Sequence, residues 1–147
     1  MRPFGFLLAA LAIAAPGVAS ALDYRSVKEV AVLYDAPSVK GKKLWVIQRG
    51  TPVEVVISID QWVKVRDMTG TIAWIELKSL VPQRTVIVTA ATAEVRQQPD
   101  AASPLAFSAA KDVVLDLVDK TPTNGWIKVK HRDGSQGYVR ATDVWGG

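Results

Sequence analysis

The second half of the chain repeats the first, and this repeat constrains the fold more than any other feature of the sequence. Residues 62–66 read Trp-Val-Lys-Val-Arg, and residues 126–130 read Trp-Ile-Lys-Val-Lys. The segments that follow, 71–75 (Thr-Ile-Ala-Trp-Ile) and 135–139 (Ser-Gln-Gly-Tyr-Val), keep the same offset of 64 residues. A period of this length that occurs only twice is typical of tandem domains and not of a solenoid.

The joint between the two copies is a short polar break, Pro-Gln-Arg at residues 82–84, between two apolar segments. Three residues give little slack compared with a flexible linker. We therefore predict a first domain over residues 22–82 and a second over 83–147. We expect the two to form a compact pair with restricted relative motion.

The residue pattern within each copy is typical of strands. Apolar and polar side chains alternate over 53–57 and 63–65, and again over 113–117 and 127–129, as they do in half-buried strands. Segments rich in Gly, Pro, Asn and Asp separate these runs and predict turns. No segment after residue 21 shows a convincing helical period. The sequence predicts an all-β chain with about five short strands in each copy.

The first 21 residues have the pattern of a secretory signal peptide. Arg2 precedes an apolar run over 4–15, and the segment ends in Ala-Ser-Ala at residues 19–21. The apolar run is shorter than the roughly 20 residues that span a bilayer as a helix. We predict cleavage after Ala21 and an exported protein, periplasmic or secreted, without a membrane anchor. The chain has no cysteine, which excludes a disulfide framework.

The net charge of +4 is small for a chain of 147 residues. The tightest basic cluster is Lys40, Lys42 and Lys43, in a segment that we interpret as a loop. This cluster could attract an anionic polysaccharide or a nucleic acid, but we favour an ordinary solvated surface. Because we expect export, we predict no nucleic-acid partner.

The order of motifs resembles the bacterial Src-homology-3-like (SH3-like) domain of exported and envelope proteins. The most specific parts are Trp-Val-Lys-Val with Ala-Trp-Ile in the first copy, and Trp-Ile-Lys-Val with Gly-Tyr-Val in the second. The resemblance covers residues 27–145. It implies two tandem five-stranded barrels and a non-catalytic module that binds the peptide part of peptidoglycan or a segment of another envelope protein. The glycine usual in the first turn of the family is replaced here by Ala36 and Gln98.

Strand parity predicts a ligand-binding face in each copy. If Val63 and Val65 fill the core, Trp62, Lys64 and Arg66 share the opposite face, because side chains alternate along a strand. The same argument places an aromatic side chain from the next strand on each outer face. By analogy with the parent fold, we predict that the ligand contacts are Trp62, Lys64, Arg66 and Trp74 in the first copy and Trp126, Lys128, Lys130 and Tyr138 in the second.

Two alternatives to this prediction stay open at the sequence level. A two-residue turn at Asp133-Gly134 would set Tyr138 opposite Val129 and on the core face. The aromatic side chains could also seal the contact between the two barrels or between subunits, which would make the protein a structural or assembly component. We assign Trp45, Phe107 and Trp145 to such core or interface packing.

The sequence offers no catalytic constellation. His131 is the single histidine and lies in a predicted turn beside Asp133, where we expect it to be a surface residue. A general base needs a nucleophile or acid held near it, and the chain has neither a cysteine nor a Gly-x-Ser-x-Gly motif. Dispersed carboxylates give no metal-ligand spacing. We predict no enzymatic activity, no cofactor and no metal site.

Overall fold

The computed structural model describes residues 22–147, in which strands predominate and helix is limited to single 3-10 turns at Leu77–Ser79 and Ala141–Asp143. The predicted signal peptide, residues 1–21, lies outside the described residues. The strands form two separate sheets, one in each half of the chain. The prediction of an all-β chain with one small fold in each half is therefore confirmed.

Each sheet has seven strands, and their arrangement is the same. The first sheet contains β1 (Tyr24–Val27), β2 (Ala31–Tyr34), β3 (Lys43–Ile47), β4 (Pro52–Ile59), β5 (Trp62–Arg66), β6 (Ile72–Glu76) and β7 (Leu80–Val81). The second contains β8 (Thr85–Val88), β9 (Thr92–Arg96), β10 (Leu105–Ala110), β11 (Val114–Thr123), β12 (Trp126–Lys130), β13 (Gln136–Arg140) and β14 (Val144–Trp145). The orders β3-β2-β6-β5-β4-β1-β7 and β10-β9-β13-β12-β11-β8-β14 match strand for strand.

The strand number differs from the predicted five for a physical reason. All four residues of β8 are buried, so this strand shows no alternation of apolar and polar side chains. The last strands, β7 and β14, have two residues each and are too short to show any period. The outer strands of each sheet do not pair with each other, so the predicted barrels are not closed by strand pairing.

Each sheet encloses its own hydrophobic core, built from equivalent strands. Small and branched aliphatic side chains dominate both cores, as expected for strands that bury one face. The buried members in the first copy are Val27, Leu33, Ile47, Val53, Val63, Val65, Ala73, Ile75 and Leu80. Those in the second are Val86, Val88, Ala93, Val95, Ala109, Leu115, Ile127, Val129 and Val139. One face of each sheet packs on its core, and the opposite, outer face carries polar and aromatic side chains.

The two halves contact each other through the ends of their sheets. Trp145 packs edge-to-face against Tyr24 of β1, with ring centroids 5.3 Å apart. The Thr85 hydroxyl donates a hydrogen bond of 2.6 Å to the carbonyl oxygen of Gly50. Arg84 lies 5.2 Å above the Tyr24 ring and donates a hydrogen bond to the carbonyl oxygen of Gly146. This contact places Trp145 in an interface, as predicted.

The domain boundaries 22–82 and 83–147 remain our proposal. The first sheet ends at Val81 and the second begins at Thr85, so the proposed joint falls between them. Thr85 is only 3% exposed although it directly follows the joint. The chain therefore passes from one sheet to the other through a short joint in which Pro82 and Gln83 are exposed and after which the chain is buried at once.

Candidate binding faces

The β5–β6 hairpin separates its side chains between core and outer face as parity predicted. Val63 and Val65 are 1% and 2% exposed and belong to the first core. Trp62, Lys64 and Arg66 alternate with them and are half-buried on the opposite side. The regular register of the hairpin sets Lys64 directly opposite Trp74, which brings these predicted residues onto one outer face.

The β12–β13 hairpin places Tyr138 on the outer face of the second copy. Tyr138 pairs with Lys128, and Val129 pairs with Gly137. The alternative register, with Tyr138 opposite Val129 on the core side, is therefore wrong. Lys128 and Tyr138 are half-buried, while Lys130 is exposed at the end of its strand.

The register follows from a turn of three residues and not two. The N–H of His131 donates to the carbonyl oxygen of Ser135, and the N–H of Gly134 donates to that of His131. Gly134 has a φ of +94°, a conformation that glycine adopts without steric cost. A type I turn followed by a left-handed residue is a common three-residue hairpin loop. The first copy has the same backbone hydrogen bonds, from Asp67 to Thr71 and from Gly70 to Asp67.

In the first copy, three aromatic side chains meet on the outer face. Trp62 packs edge-to-face against Tyr34, with ring centroids 5.4 Å apart and planes at 88°. Tyr34 also pairs with Trp74 across β2 and β6. Tyr34 and Trp74 are buried, at 7% and 9% exposure, and Trp62 is half-buried. Trp62 is therefore the ring of this face that solvent reaches most, and it is held against a buried aromatic neighbour.

The two cations of this face have different surroundings. The ammonium of Lys64 lies 5.4 Å from the centroid of the Trp74 ring, within the range of a cation–π interaction. Nη1 of Arg66 donates to both carboxylate oxygens of Glu54, at 3.1 and 3.0 Å. Arg66 is therefore engaged within the fold, and Lys64 is the better placed of the two to meet a ligand.

In the second copy, the equivalent tryptophan is covered. Trp126 is 5% exposed, and the guanidinium of Arg140 lies 4.7 Å above its ring. A cavity of about 300 Å³ adjoins this pair and is lined mainly by polar residues. Its lining residues are Thr92, Glu94, Arg96, Ala101, Trp126, Arg140 and Asp143. The outer faces of the two copies thus have the same strand arrangement but carry different side chains.

Two positions that strand parity does not identify account for much of this difference. Tyr34 supports Trp62 in the first copy, and the corresponding position in β9 is Arg96, which pairs with Tyr138 as Tyr34 pairs with Trp74. The residue opposite Trp62 is Glu76, whereas the residue opposite Trp126 is Arg140. The alignment of the two copies pairs these positions and could have identified both.

The other aromatic side chains divide between packing and exposure. Phe107 is half-buried and packs against the second core, as predicted. Trp45 is 36% exposed, so its assignment to the core or to the contact between the two copies is wrong, and packing between subunits stays a prediction. It lies on β3, an edge strand whose side chains project beyond the core.

His131 lies in the β12–β13 turn beside Asp133, as the sequence placed it, and it is half-buried. Its Nδ1 accepts a hydrogen bond of 3.3 Å from the N–H of Asp133, and its ring lies 6.0 Å from that of Phe107. The N–H of Ser135 donates to the Asp133 carboxylate and lowers its pKa. Through these contacts, His131 packs against Phe107 and accepts a hydrogen bond within the turn.

Two general features concern the described residues alone. Over residues 22–147, no three His, Cys, Asp or Glu side chains cluster as metal ligands would. In that same range, no helix has the length and apolar character to cross a membrane.

Comparison with known proteins matches each half of the chain to one family model. The model for the bacterial SH3 domain matches residues 27–81 and again 89–146. No curated protein matches the sequence. Two solved structures from Trichomonas vaginalis, NlpC1 and NlpC2, are both 14% identical and have TM-scores of 0.40 and 0.39. NlpC1 is matched over 94% of this chain and NlpC2 over 86%, and the chain spans about half the length of each (51% and 49%).

Proposed function

The chain belongs to the bacterial SH3 domain family in both of its halves, and on that premise we propose that it is an exported, non-catalytic binding module of the bacterial cell envelope. Its ligand is the peptide part of peptidoglycan or an extended segment of another envelope protein. The first copy provides the main site, on the outer face that carries Trp62, Lys64, Arg66 and Trp74. The protein acts outside the cytoplasm, in the periplasm or as a secreted protein.

The observation that carries this proposal is the position of Trp62. Its ring is half-exposed and is held edge-to-face against Tyr34. The Trp62 side chain offers a large aromatic surface and is already held in place. It therefore loses little conformational entropy when a ligand docks, which favours binding. The Lys64 ammonium lies along the same face and supplies a charge-assisted hydrogen bond to a ligand carboxylate.

The second copy is proposed as a weaker site that uses Trp126, Lys128, Lys130 and Tyr138. The Arg140 guanidinium must leave the Trp126 ring before a ligand contacts it. A cation–π interaction at an exposed site is worth about 0.5–1 kcal/mol, so this displacement weakens binding without preventing it. Two linked sites of unequal strength still raise the apparent affinity for a polymer, because the second binding step is intramolecular.

A sacculus pulldown tests the main site. We expect Trp62→Ala to lose most of its retention on purified peptidoglycan sacculi, and Trp126→Ala to lose less. Trp45→Ala is the matched control, because Trp45 is an exposed tryptophan of the same sheet on a different strand. Equal retention of wild type and Trp62→Ala, with both folded by circular dichroism, would overturn the assignment of the main site to Trp62, and absence of retention of the wild type would overturn the peptidoglycan proposal. Release of soluble fragments from the sacculi by the wild type would overturn the non-catalytic one.

An assembly role is the second candidate, and the packing of three tryptophans within the chain favours it. Trp74 and Trp126 are covered within their own copies, and Trp145 packs against Tyr24 between the copies. In this case the aromatic side chains stabilise the pair of domains and Trp62 is an ordinary surface residue. Tryptophan emission that sacculi leave unchanged, together with normal retention of Trp62→Ala, would favour this role.

A further inference from the structure

Strand β3 leaves an apolar edge open on the first sheet. It is the terminal strand of the sheet and pairs with β2 on one side only. Leu44, Trp45 and Val46 are 37%, 36% and 55% exposed. An exposed apolar edge strand presents unpaired N–H and C=O groups and is a template for pairing with another strand.

The second copy shows that the fold does not require an apolar residue at the position of Val46. Strand β10 occupies the same place, and Phe107 pairs with Val95 as Trp45 pairs with Leu33. The next residue on each strand differs sharply, since Ser108 stands where β3 has Val46. The cross-strand partner of Ser108 is Glu94, whereas that of Val46 is Val32. The same backbone therefore tolerates a polar residue at this edge position in one copy and has valine there in the other, although Leu105 of β10 is also exposed.

The surroundings of β3 add further apolar surface and a cluster of positive charge. Val30 and Val39, in the segments before β2 and before β3, are 59% and 61% exposed. Lys40, Lys42 and Lys43 lie at the start of β3, and none of these three lysines takes part in a salt bridge within residues 22–147. The edge thus combines an apolar strand with a cationic end.

We propose that β3 is a docking edge to which an extended peptide segment of a partner protein adds as one more strand. Main-chain hydrogen bonds to β3 supply affinity, and side chains of the segment pack on Leu44 and Val46. Charge complementarity selects a segment whose carboxylates meet Lys42 and Lys43. An antiparallel segment, the commoner arrangement, brings its carboxyl-terminal end to the start of β3. None of the four residues of the Trp62 face lies on β3, and the docking edge does not depend on the function proposed for that face.

The probe is a short synthetic peptide of alternating threonine and valine that ends in two glutamates. Titration calorimetry with the mature protein should show binding, and Val46→Lys should weaken it by about tenfold or more, about 1.4 kcal/mol. The matched control is Ser108→Lys, an exposed change at the equivalent position of the second copy. We expect this control to bind within about twofold of wild type, because its edge is not the docking strand.

A second set of measurements tests the cationic end. Replacing the two glutamates of the peptide by lysines, or making Lys42→Gln with Lys43→Gln, should weaken binding and reduce its dependence on salt. Hydrogen exchange should show new protection of β3 amides when the acidic peptide binds. The proposal would be overturned if the protein with Lys42→Gln and Lys43→Gln bound the acidic peptide normally and also self-associated. The two lysines would then serve only to prevent pairing between edge strands of two molecules.

The remaining outcomes separate this site from the Trp62 face. Val46→Lys should retain its binding to sacculi, and Trp62→Ala should retain its binding to the acidic peptide. Absence of peptide binding by the wild type would overturn the docking edge alone. A concentration-dependent dimer that protects β3 without any peptide would identify a second copy as the occupant and would also overturn the proposal.

Discussion

Trp62 and Trp126 occupy the same place in their hairpins, yet one is half-exposed and the other buried. The residue opposite each ring differs, since Glu76 faces Trp62 and Arg140 faces Trp126. Glu76 forms a salt bridge with Lys78 along its own segment, whereas the Arg140 guanidinium lies over the ring. The residue opposite each ring is therefore one of the differences that can set how much of each tryptophan a ligand reaches.

Exchange of these two side chains should reverse the exposure of the two rings. We predict that Arg140→Glu increases the quenching of tryptophan emission by acrylamide, and that Glu76→Arg decreases it while weakening retention on sacculi. Neither change should cost more than about 1 kcal/mol of stability, because a cation–π contact at the surface is worth no more. Unaltered quenching in both variants would show that the opposite residue does not govern access to the ring.

Tyr24 gives the interface between the copies a dependence on alkaline pH. Burial raises the pKa of its hydroxyl above the ordinary value of 10.0, with the nearby Glu54 carboxylate as the next cause. The folded state therefore holds the phenolic proton more tightly than the unfolded chain does. This contribution is fully present below pH 10 and is lost as the pH rises through the pKa of the folded state.

We expect Tyr24→Phe to change stability by less than about 0.5 kcal/mol near neutral pH, where both states of the wild type are protonated. Above pH 10 the wild type should lose stability faster than the variant. Urea unfolding across the alkaline range measures the difference between the two proteins, which removes the common effect of lysine titration. Parallel pH profiles would contradict the shift in the Tyr24 pKa.

At the residue scale, the sequence predicts which face a side chain takes but not what covers it. The alternation of Val63 and Val65 with Lys64 is enough to separate core from outer face. The Arg140 guanidinium lies over the Trp126 ring, and it reaches the ring because the two strands pair. Coverage of this kind is a tertiary contact, and periodicity along one strand carries no information about it.

At the scale of elements, the two hairpins show why turn composition alone does not determine the register of a hairpin. Asp133-Gly134 suits a two-residue turn by composition. The observed loop includes Arg132 as well, which shifts the register by one residue and turns Tyr138 outward. The pattern of alternation also does not predict the fully buried β8, because a strand covered on both faces loses its alternation.

The β5–β6 turn depends on one carboxylate. Oδ1 of Asp67 accepts hydrogen bonds from the N–H of Thr69 at 2.9 Å, from its hydroxyl at 2.6 Å and from the N–H of Thr71 at 3.1 Å. We predict that Asp67→Ala destabilises the protein by about 1 kcal/mol, since turn donors lose their acceptor. Asp67→Asn keeps a carbonyl oxygen in this position and should lose less. Equal urea midpoints for the two variants would contradict the role of this acceptor.

At the scale of the molecule, the duplication produced two equivalent sheets that are held against each other. Their contact involves Tyr24, Gly50 and Pro52 of the first copy and Thr85, Trp145 and Gly146 of the second. The short joint predicted a compact pair but could not identify these partners. Trp145 and Gly146 are near the end of the chain, far from Tyr24 in sequence, so only the folded arrangement brings them together.

Gly146 provides the sharpest test of coupling between the two copies. Its φ is +109°, and a Cβ atom added there would lie 2.8 Å from Cβ of Pro52 and 2.9 Å from the carbonyl oxygen of Thr85. Gly146→Ala must therefore push the copies apart at this contact, at a cost of about 1–3 kcal/mol. We expect calorimetry to show two separated unfolding transitions where the wild type shows one.

Gly134→Ala is the matched control for backbone strain without contact. Gly134 also has a positive φ, but an added Cβ there has no neighbour within 4 Å. The control should therefore lower the stability of the second copy while the interface of Trp145 with Tyr24 stays intact. If both variants gave a single transition at similar temperatures, backbone strain alone would explain the effect of Gly146→Ala. The close approach of Gly146 to Pro52 would then have no part in joining the two copies.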